Sequence, residues 1–326
     1  MRIFKTGSPF APLWFLVVAT PLIIESCITA STPASHWLNP VTCLMLVLAY
    51  GPPVLWLREL WVRGQLALPA LFIMGIAYGL FNEGILAHTL TQIAGDPAKN
   101  FIGYDEWGGI HWAWASLILP WHGFNSVCFM VLLTHLFFPA HSRTPWLSDK
   151  AQKRLGYVIL LSLGLYFAVH TPERLAPPHV FFVYIPILLL VMGAAIKWPR
   201  RWTETTGPTQ RQLVASVMMG LLPNILILMA GFGFAENKVP LPLYFLLTIG
   251  VTGLVIWSLG HCRWQRTLAF MLGGTWPLAA FTHFVTGGLT SMIFFASYLT
   301  LSILALRKLL AAAVLVPNNE TIRQKG

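Results

Sequence analysis

Residues 66–93 read LALPALFIMGIAYGLFNEGILAHTLTQI, and no charged side chain appears until Glu83. About 20 apolar residues in a helix cross the hydrocarbon core of a bilayer. A lone segment in lipid satisfies its backbone only as a helix. The stretch therefore predicts a transmembrane helix. Gly75, Gly79 and Glu83 follow one another at intervals of four, so they share one helix face. Small residues on a face let a neighbouring helix approach closely. The same face carries Glu83, so its carboxylate is expected in a helix–helix contact and not against lipid.

Working outward, similar apolar runs predict ten spans, at 9–30, 39–57, 66–93, 110–138, 155–170, 179–197, 212–234, 241–260, 267–287 and 289–306. The expected fold is all-α, a polytopic transmembrane helix bundle. Residues 1–316 form a single integral membrane domain, and 317–326 form a polar cytoplasmic tail. Hydrophobic residues make up 56% of the chain and charged residues 10%, against about 25% charge in soluble domains. With the loops numbered alternately, only Lys99, Arg174 and Lys238 of the 21 Lys and Arg residues fall on one side. The positive-inside rule makes the crowded side cytoplasmic and places both termini there. Trp56, Trp61, Trp146, Trp198, Trp202 and Trp264 near the basic loops fit an interfacial aromatic belt. Location in the plasma (inner) membrane as a multi-pass protein follows. The first run resembles a signal peptide, with Arg2 and Lys5 ahead of it, but Glu25 interrupts it and retention as a membrane helix is expected.

The net charge of +10 belongs to loop residues, Arg58 and Arg63 among them, that set orientation and meet anionic lipid. The expected partner is the lipid bilayer, with no nucleic acid. Four cysteines, Cys27, Cys43, Cys128 and Cys262, show no paired spacing and predict neither a disulfide framework nor a zinc site. The sequence leaves the identity of any cofactor or metal open. Gly51-Pro52-Pro53 and Pro223-Asn224 are expected helix breaks in equivalent spans. No wider repeat is visible.

Ionisable groups in hydrocarbon are expensive, about 2.5–3.5 kcal/mol on insertion scales, and mark function by default. Glu25, Glu83 and Glu236 lie in or at the edge of spans. The fourth span carries His111, His122, Asn125 and Ser126, with Asn125 and Ser126 one turn below His122 on its face. His111 and His122 are three turns and roughly 16 Å apart, too far for one metal. His283 follows Trp276-Pro277, whose proline is expected to kink the ninth span. Glu25, Glu83, His88, His111, Glu236 and His283 all fall in the outer half, and the inner half is nearly free of such groups. The expectation is a polar cavity open to the outside, covered by the loop 95–109. Glu83 and His122 should lie within water-bridging distance, roughly 4–7 Å. Glu83, His122, Asn125 and His283 are the candidate catalytic residues.

Several stretches together resemble a group of uncharacterised prokaryotic multi-span proteins: Tyr50-Gly51-Pro52-Pro53-Val54, Arg58-Glu59-Leu60-Trp61-Val62-Arg63, Ala77-Tyr78-Gly79-Leu80-Phe81-Asn82-Glu83-Gly84, Gly109-Ile110-His111-Trp112-Ala113-Trp114-Ala115 and Trp121-His122-Gly123-Phe124-Asn125-Ser126. A second resemblance is to the CAAX-protease and bacteriocin-processing family of intramembrane proteases. There Asn82-Glu83 would stand at the paired glutamates, His122 at the second motif's His and His283 at the remaining His. Ala87 stands where that family has Arg, and Ile118 where it has Phe. That resemblance implies that Glu83 activates a water for peptide-bond attack, with His122 orienting it or stabilising the oxyanion.

Three function classes fit these residues. An intramembrane hydrolase acting on a membrane-embedded peptide explains a one-sided site on two adjacent spans, and is the leading expectation. A secondary transporter of a small solute, with proton coupling through Glu83, explains the span number and broken helices. A haem or quinone protein using His122 and His283 as ligands is the third.

Overall fold

The computed structural model describes residues 10–92, 98–169, 177–198, 207–221 and 223–314. Helix α1 (Phe10–Pro21) passes into a π-helical turn, π1 (Leu22–Ile28). After the short α2 (Ala34–Leu38) comes α3 (Pro40–Arg63), and α4 (Leu68–Gly79) continues as π2 (Leu80–Leu86). A two-stranded hairpin, β1 (Glu106–Trp107) with β2 (Ile110–His111), precedes the fourth long helix. That helix runs as α5 (Trp112–Trp121), π3 (His122–Phe129) and α6 (Met130–Phe137). Then follow α7 (Asp149–Val169), α8 (Pro178–Ile196), α9 (Gln210–Gly220), α10 (Pro223–Glu236), α11 (Leu241–His261), α12 (Trp264–Thr286) and α13 (Leu289–Val314).

Among the described residues, eight helices are long and apolar enough to cross a membrane. The eight cover the expected spans except the fifth and seventh. Helix α7 stands at the fifth, with Asp149, Lys150, Lys153 and Arg154 in its first two turns. At the seventh, the chain is split into α9 and α10 by the break expected at Pro223-Asn224. The other expected break is absent: α3 runs unbroken through Pro52 and Pro53. Membrane helices tolerate proline where neighbours re-satisfy the freed carbonyls. The shortest expected turn, Gly287-Gly288, is a true reversal. Its residues have φ of 67° and 81°, a region that costs glycine nothing.

Hydrogen bonds and ring contacts define the two ends of the bundle. At one end Lys308 Nζ donates to the Phe137 carbonyl (3.0 Å), and Arg63 pairs with Asp149. Phe15 packs on Phe137 and Phe138 there, so the first and last described helices share this Arg63 end. At the other end Thr282 Oγ1 donates to the Ile28 carbonyl (2.7 Å), and Tyr104 Oη to the Val239 carbonyl (2.6 Å). Residues 98–111 lie over this second end. Phe101 is buried against Ala113, Leu117 and Tyr244.

The Arg63 end corrects one expectation. Arg58 is not a solvated loop charge. It lies within α3 and is wholly buried, with Nη1 2.6 Å from Glu59 Oε1 and Nη2 donating to the His141 carbonyl at 2.8 Å. Glu59 in turn accepts from the Trp146 N–H at 3.0 Å, and the guanidinium lies 3.7 Å from the centre of the Trp146 ring. His135 stacks on Trp61 beside them. The Arg63 half of the bundle, expected to be the inner one, is therefore not free of ionisable groups. The cluster pins residues 141–147 onto α3, and the buried charges of Arg58 and Glu59 are paired with each other, as burial of charge demands. Arg2, Lys5, Asp96, Arg174, Trp202, Arg323 and Lys325 lie outside the described residues, as does the expected tail.

Candidate functional site

The two central residues meet because two glycine-bearing helices touch through their backbones. A Cβ built on Gly75 would lie 2.5 Å from the Gly123 Cα, and one on Gly79 would lie 3.0 Å from the Leu119 Cα. Without a hydrophobic force between helices in lipid, such close packing is what holds them together. It brings the Glu83 and His122 side chains into direct contact.

Glu83 Oε1 lies 2.6 Å from His122 Nε2. The expected bridging water is not needed; the contact is direct because the glycines shorten the crossing. Thr89 Oγ1 donates to the other carboxylate oxygen, and Ser126 Oγ lies 2.9 Å from His122 Nδ1. Every polar atom of the pair is thus engaged. His122 is 1% exposed and Ser126 is fully buried, whereas the Glu83 side chain keeps 12% of its surface. Tyr78 and Tyr50 pack around the imidazole, with ring centres 5.6 and 6.3 Å away.

Both partners sit on π-helical turns, which are rare and frequent at functional sites. The local sequence accounts for one of them. Pro120 lacks an N–H and clashes with the carbonyl four residues back, so the α ladder is already broken where π3 begins. Pro21 does the same ahead of π1. The π geometry also redirects Asn125. Expected beside His122, it turns away: Nδ2 donates to the Trp121 carbonyl at 3.2 Å, and the side chain lines a cleft on the far side of the helix. Bonds to the fifth residue widen the turn, so position i+4, Ser126, stays over His122 while i+3 does not.

His283 does not join the pair. Its Nε2 lies 3.0 Å from the Cys27 carbonyl and its Nδ1 2.6 Å from Ser291 Oγ, so it fastens π1 to α12 and α13. His111 is buried on β2, and its backbone N–H donates to the Leu90 carbonyl at 2.9 Å.

A local repeat escaped the sequence reading. Glu25 and Glu83 occupy the same place in π1 and π2. Each is followed five residues on by a left-handed residue, Ala30 at φ 52° and His88 at φ 59°. In each the sixth residue on, Ser31 or Thr89, donates its hydroxyl to the carboxylate. The seventh donates its backbone N–H to the glutamate carbonyl, from Thr32 at 3.2 Å and from Leu90 at 3.3 Å. The second long helix supplies Tyr50 to Glu25 in the first, as the fourth supplies His122 to Glu83 in the third. The signal is Leu-x-x-Glu followed by Ser or Thr six residues after the Glu, at 22–31 and 80–89. It is too short and too common in type to stand out unaided.

A cleft of about 430 Å³ opens among α5, π3, α9, α10, α11 and α12. Trp121 and Asn125 line it, but Glu83 and His122 do not. The expected outward cavity around the pair is therefore not this cleft. Among the described residues no three His, Cys, Asp or Glu side chains gather as a metal site would require.

Fold and site together define a polytopic helical membrane protein with a buried Glu–His pair. The chain belongs to an uncharacterised membrane protein family, whose sequence profile matches residues 14–319. No curated protein and no solved structure matches it. The resemblance to uncharacterised multi-span proteins is thus upheld, while that to the intramembrane proteases gains no support.

Proposed function

We propose that this protein is a proton-coupled membrane transporter in which the Glu83–His122 pair takes up and releases the coupling proton. The observation that carries the reading is the 2.6 Å contact between Glu83 Oε1 and His122 Nε2, made between two π-helical turns inside spans. Intramembrane carboxylates and imidazoles paired with one another are the usual material of proton relays. A proton arriving at Glu83 converts a charged pair into one with a different charge, and the contact must rearrange. Both turns can respond, because a π turn is one residue away from an α turn. Glu25 with Tyr50 offers a second carboxylate at the same end of the bundle, on the far side of the Tyr50 and His122 rings. The basic Arg63 end faces the cytoplasm in this reading, in the plasma (inner) membrane.

The hydrolase reading draws on a different observation, the run Glu83–His122–Ser126. A serine beside an imidazole held by a carboxylate is the arrangement of an activated nucleophile. Against it, Ser126 is fully buried.

The two readings separate in pyranine-loaded proteoliposomes screened with small solutes. Solute-driven proton influx should occur with the wild type, vanish in Glu83→Gln and persist in Ser126→Ala. Influx unchanged in Glu83→Gln would defeat the transporter. Loss of peptide cleavage in Ser126→Ala, with cleavage present in the wild type, would install the hydrolase.

A further inference from the structure

The cleft beside the pair is built as a binding site in its own right. Its walls are apolar for most of their length, with Phe72, Leu117, Phe124 and Phe270 among them. Thr248 and Cys262 both line it, one near the middle of α11 and the other just past its end. Fourteen residues of helix separate them, roughly 21 Å of rise. The cleft is thus long and narrow, running along the helices through much of a hydrocarbon core about 30 Å thick. Met219 and Leu254, on its walls, are 64% and 64% exposed. It therefore opens sideways, through the lipid-facing surface.

Two features mark a polar occupant. At the Arg63 end of the cleft stands Arg266, whose Nε donates to Ser216 Oγ at 3.3 Å. Among the described residues no acidic side chain lines the cleft, and the outer guanidinium nitrogens of Arg266 have no acceptor. Deeper in, Asn125 and Asn224 face the space, from π3 and α10. Asn125 is wholly buried and its Oδ1 has no partner; Asn224 Nδ2 is also buried without one. An unpaired buried acceptor or donor is unfavourable by a sizeable margin. One of each, set along an apolar slot, asks for a ligand carrying its own hydrogen-bonding groups below its head.

We infer that this cleft binds an anionic membrane lipid from the leaflet at the Arg63 end, its acidic headgroup on Arg266 and its ester region toward Asn224 and Asn125. The lateral opening admits a molecule already in the bilayer. The apolar walls take acyl chain, and the Arg266 cation sets the sign of the head. A soluble anion would have no use for the apolar length. The inference goes beyond the proton-coupling reading and rests on none of its residues, so it stands or falls separately.

Native mass spectrometry of the full-length protein in detergent, titrated with dioleoyl phosphatidylglycerol or dioleoyl phosphatidylcholine, tests it. The wild type should bind phosphatidylglycerol about tenfold more tightly or better, as a hydrogen bond to a charged group implies. Arg266→Gln should level the two lipids. Asn125→Leu should weaken phosphatidylglycerol binding several-fold while keeping the preference. Val251→Trp, which fills the slot from α11, should abolish binding of both, with folding checked by circular dichroism. Equal binding of the two lipids by the wild type would overturn the inference. So would a preference that survives Arg266→Gln, or binding undiminished in Val251→Trp, since either would place the lipid on the outer surface.

Discussion

Gly75 and Gly123 lie back to back across the contact between the third and fourth long helices: a Cβ on Gly75 would fall 2.5 Å from the Gly123 Cα, and one on Gly123 would fall 2.9 Å from the Phe72 carbonyl oxygen. Neither obstacle is a side chain that can swing away. Gly75→Ala must therefore push the helices apart. Overpacking of this kind is worth about 1–3 kcal/mol, and the Glu83–His122 contact should open with it. A lowered midpoint of thermal unfolding in detergent is expected for Gly75→Ala and for Gly123→Ala. Wild-type stability in both would mean that the helices do not touch there.

That glycine face shows what was legible in the sequence. Gly75, Gly79 and Glu83 at intervals of four sufficed to place the carboxylate in a helix contact, because helical period and the size of glycine are local facts. His122 was legible for its depth in an apolar run. Asn125 was misplaced, since a 3.6-residue period was applied to a stretch where Pro120 had already broken the α ladder. His283 joins the candidates on its depth and on the protease resemblance; neither fixes position around the bundle, and its partners Cys27 and Ser291 come from other helices. Arg58 was read as a loop charge because an isolated Arg at the end of an apolar run does so by default. Its burial depends on His141, Trp146 and Glu59 closing over it, which no local pattern announces.

The Arg58–Glu59 cluster carries its own expected outcome. Both side chains are fully buried, so removing one leaves an uncompensated charge, at about 3–5 kcal/mol. Arg58→Leu should unfold the protein at markedly lower temperature and free the 141–147 segment to proteolysis. The double variant Arg58→Leu/Glu59→Leu should recover much of the loss, because no lone charge then remains. A double variant as unstable as the sum of the two single variants would show that the pair is not coupled.

Asp105 lies outside the spans, where its carboxylate accepts the Ala113 N–H at the start of α5. Burial pushes its carboxyl up to about 6, although that hydrogen bond pulls the other way. The unfolded chain titrates near 3.9, so the folded loop holds its proton more tightly. Its stabilising contribution is whole below about pH 4 and falls as pH rises toward about 6. Amide exchange in residues 98–113 should quicken, relative to intrinsic rates, between about pH 4.5 and 7. Asp105→Asn, which does not titrate, should flatten that dependence. A wild-type loop equally protected across the range would contradict it.

The charge distribution predicts one orientation for the bundle. Lys99 lies on the loop at the Glu83 end, while Lys150 lies at the opposite end beside Asp149, which pairs with Arg63. The positive-inside rule puts the Lys150 end in the cytoplasm. In a background with Cys27, Cys43, Cys128 and Cys262 replaced, Lys99→Cys in intact cells should react with a membrane-impermeant maleimide. Lys150→Cys should react only after permeabilisation. The opposite pattern would invert the protein in its membrane. Glu25 and Glu83 would then face the cytoplasm, and the Arg266 cleft would open to the outer leaflet.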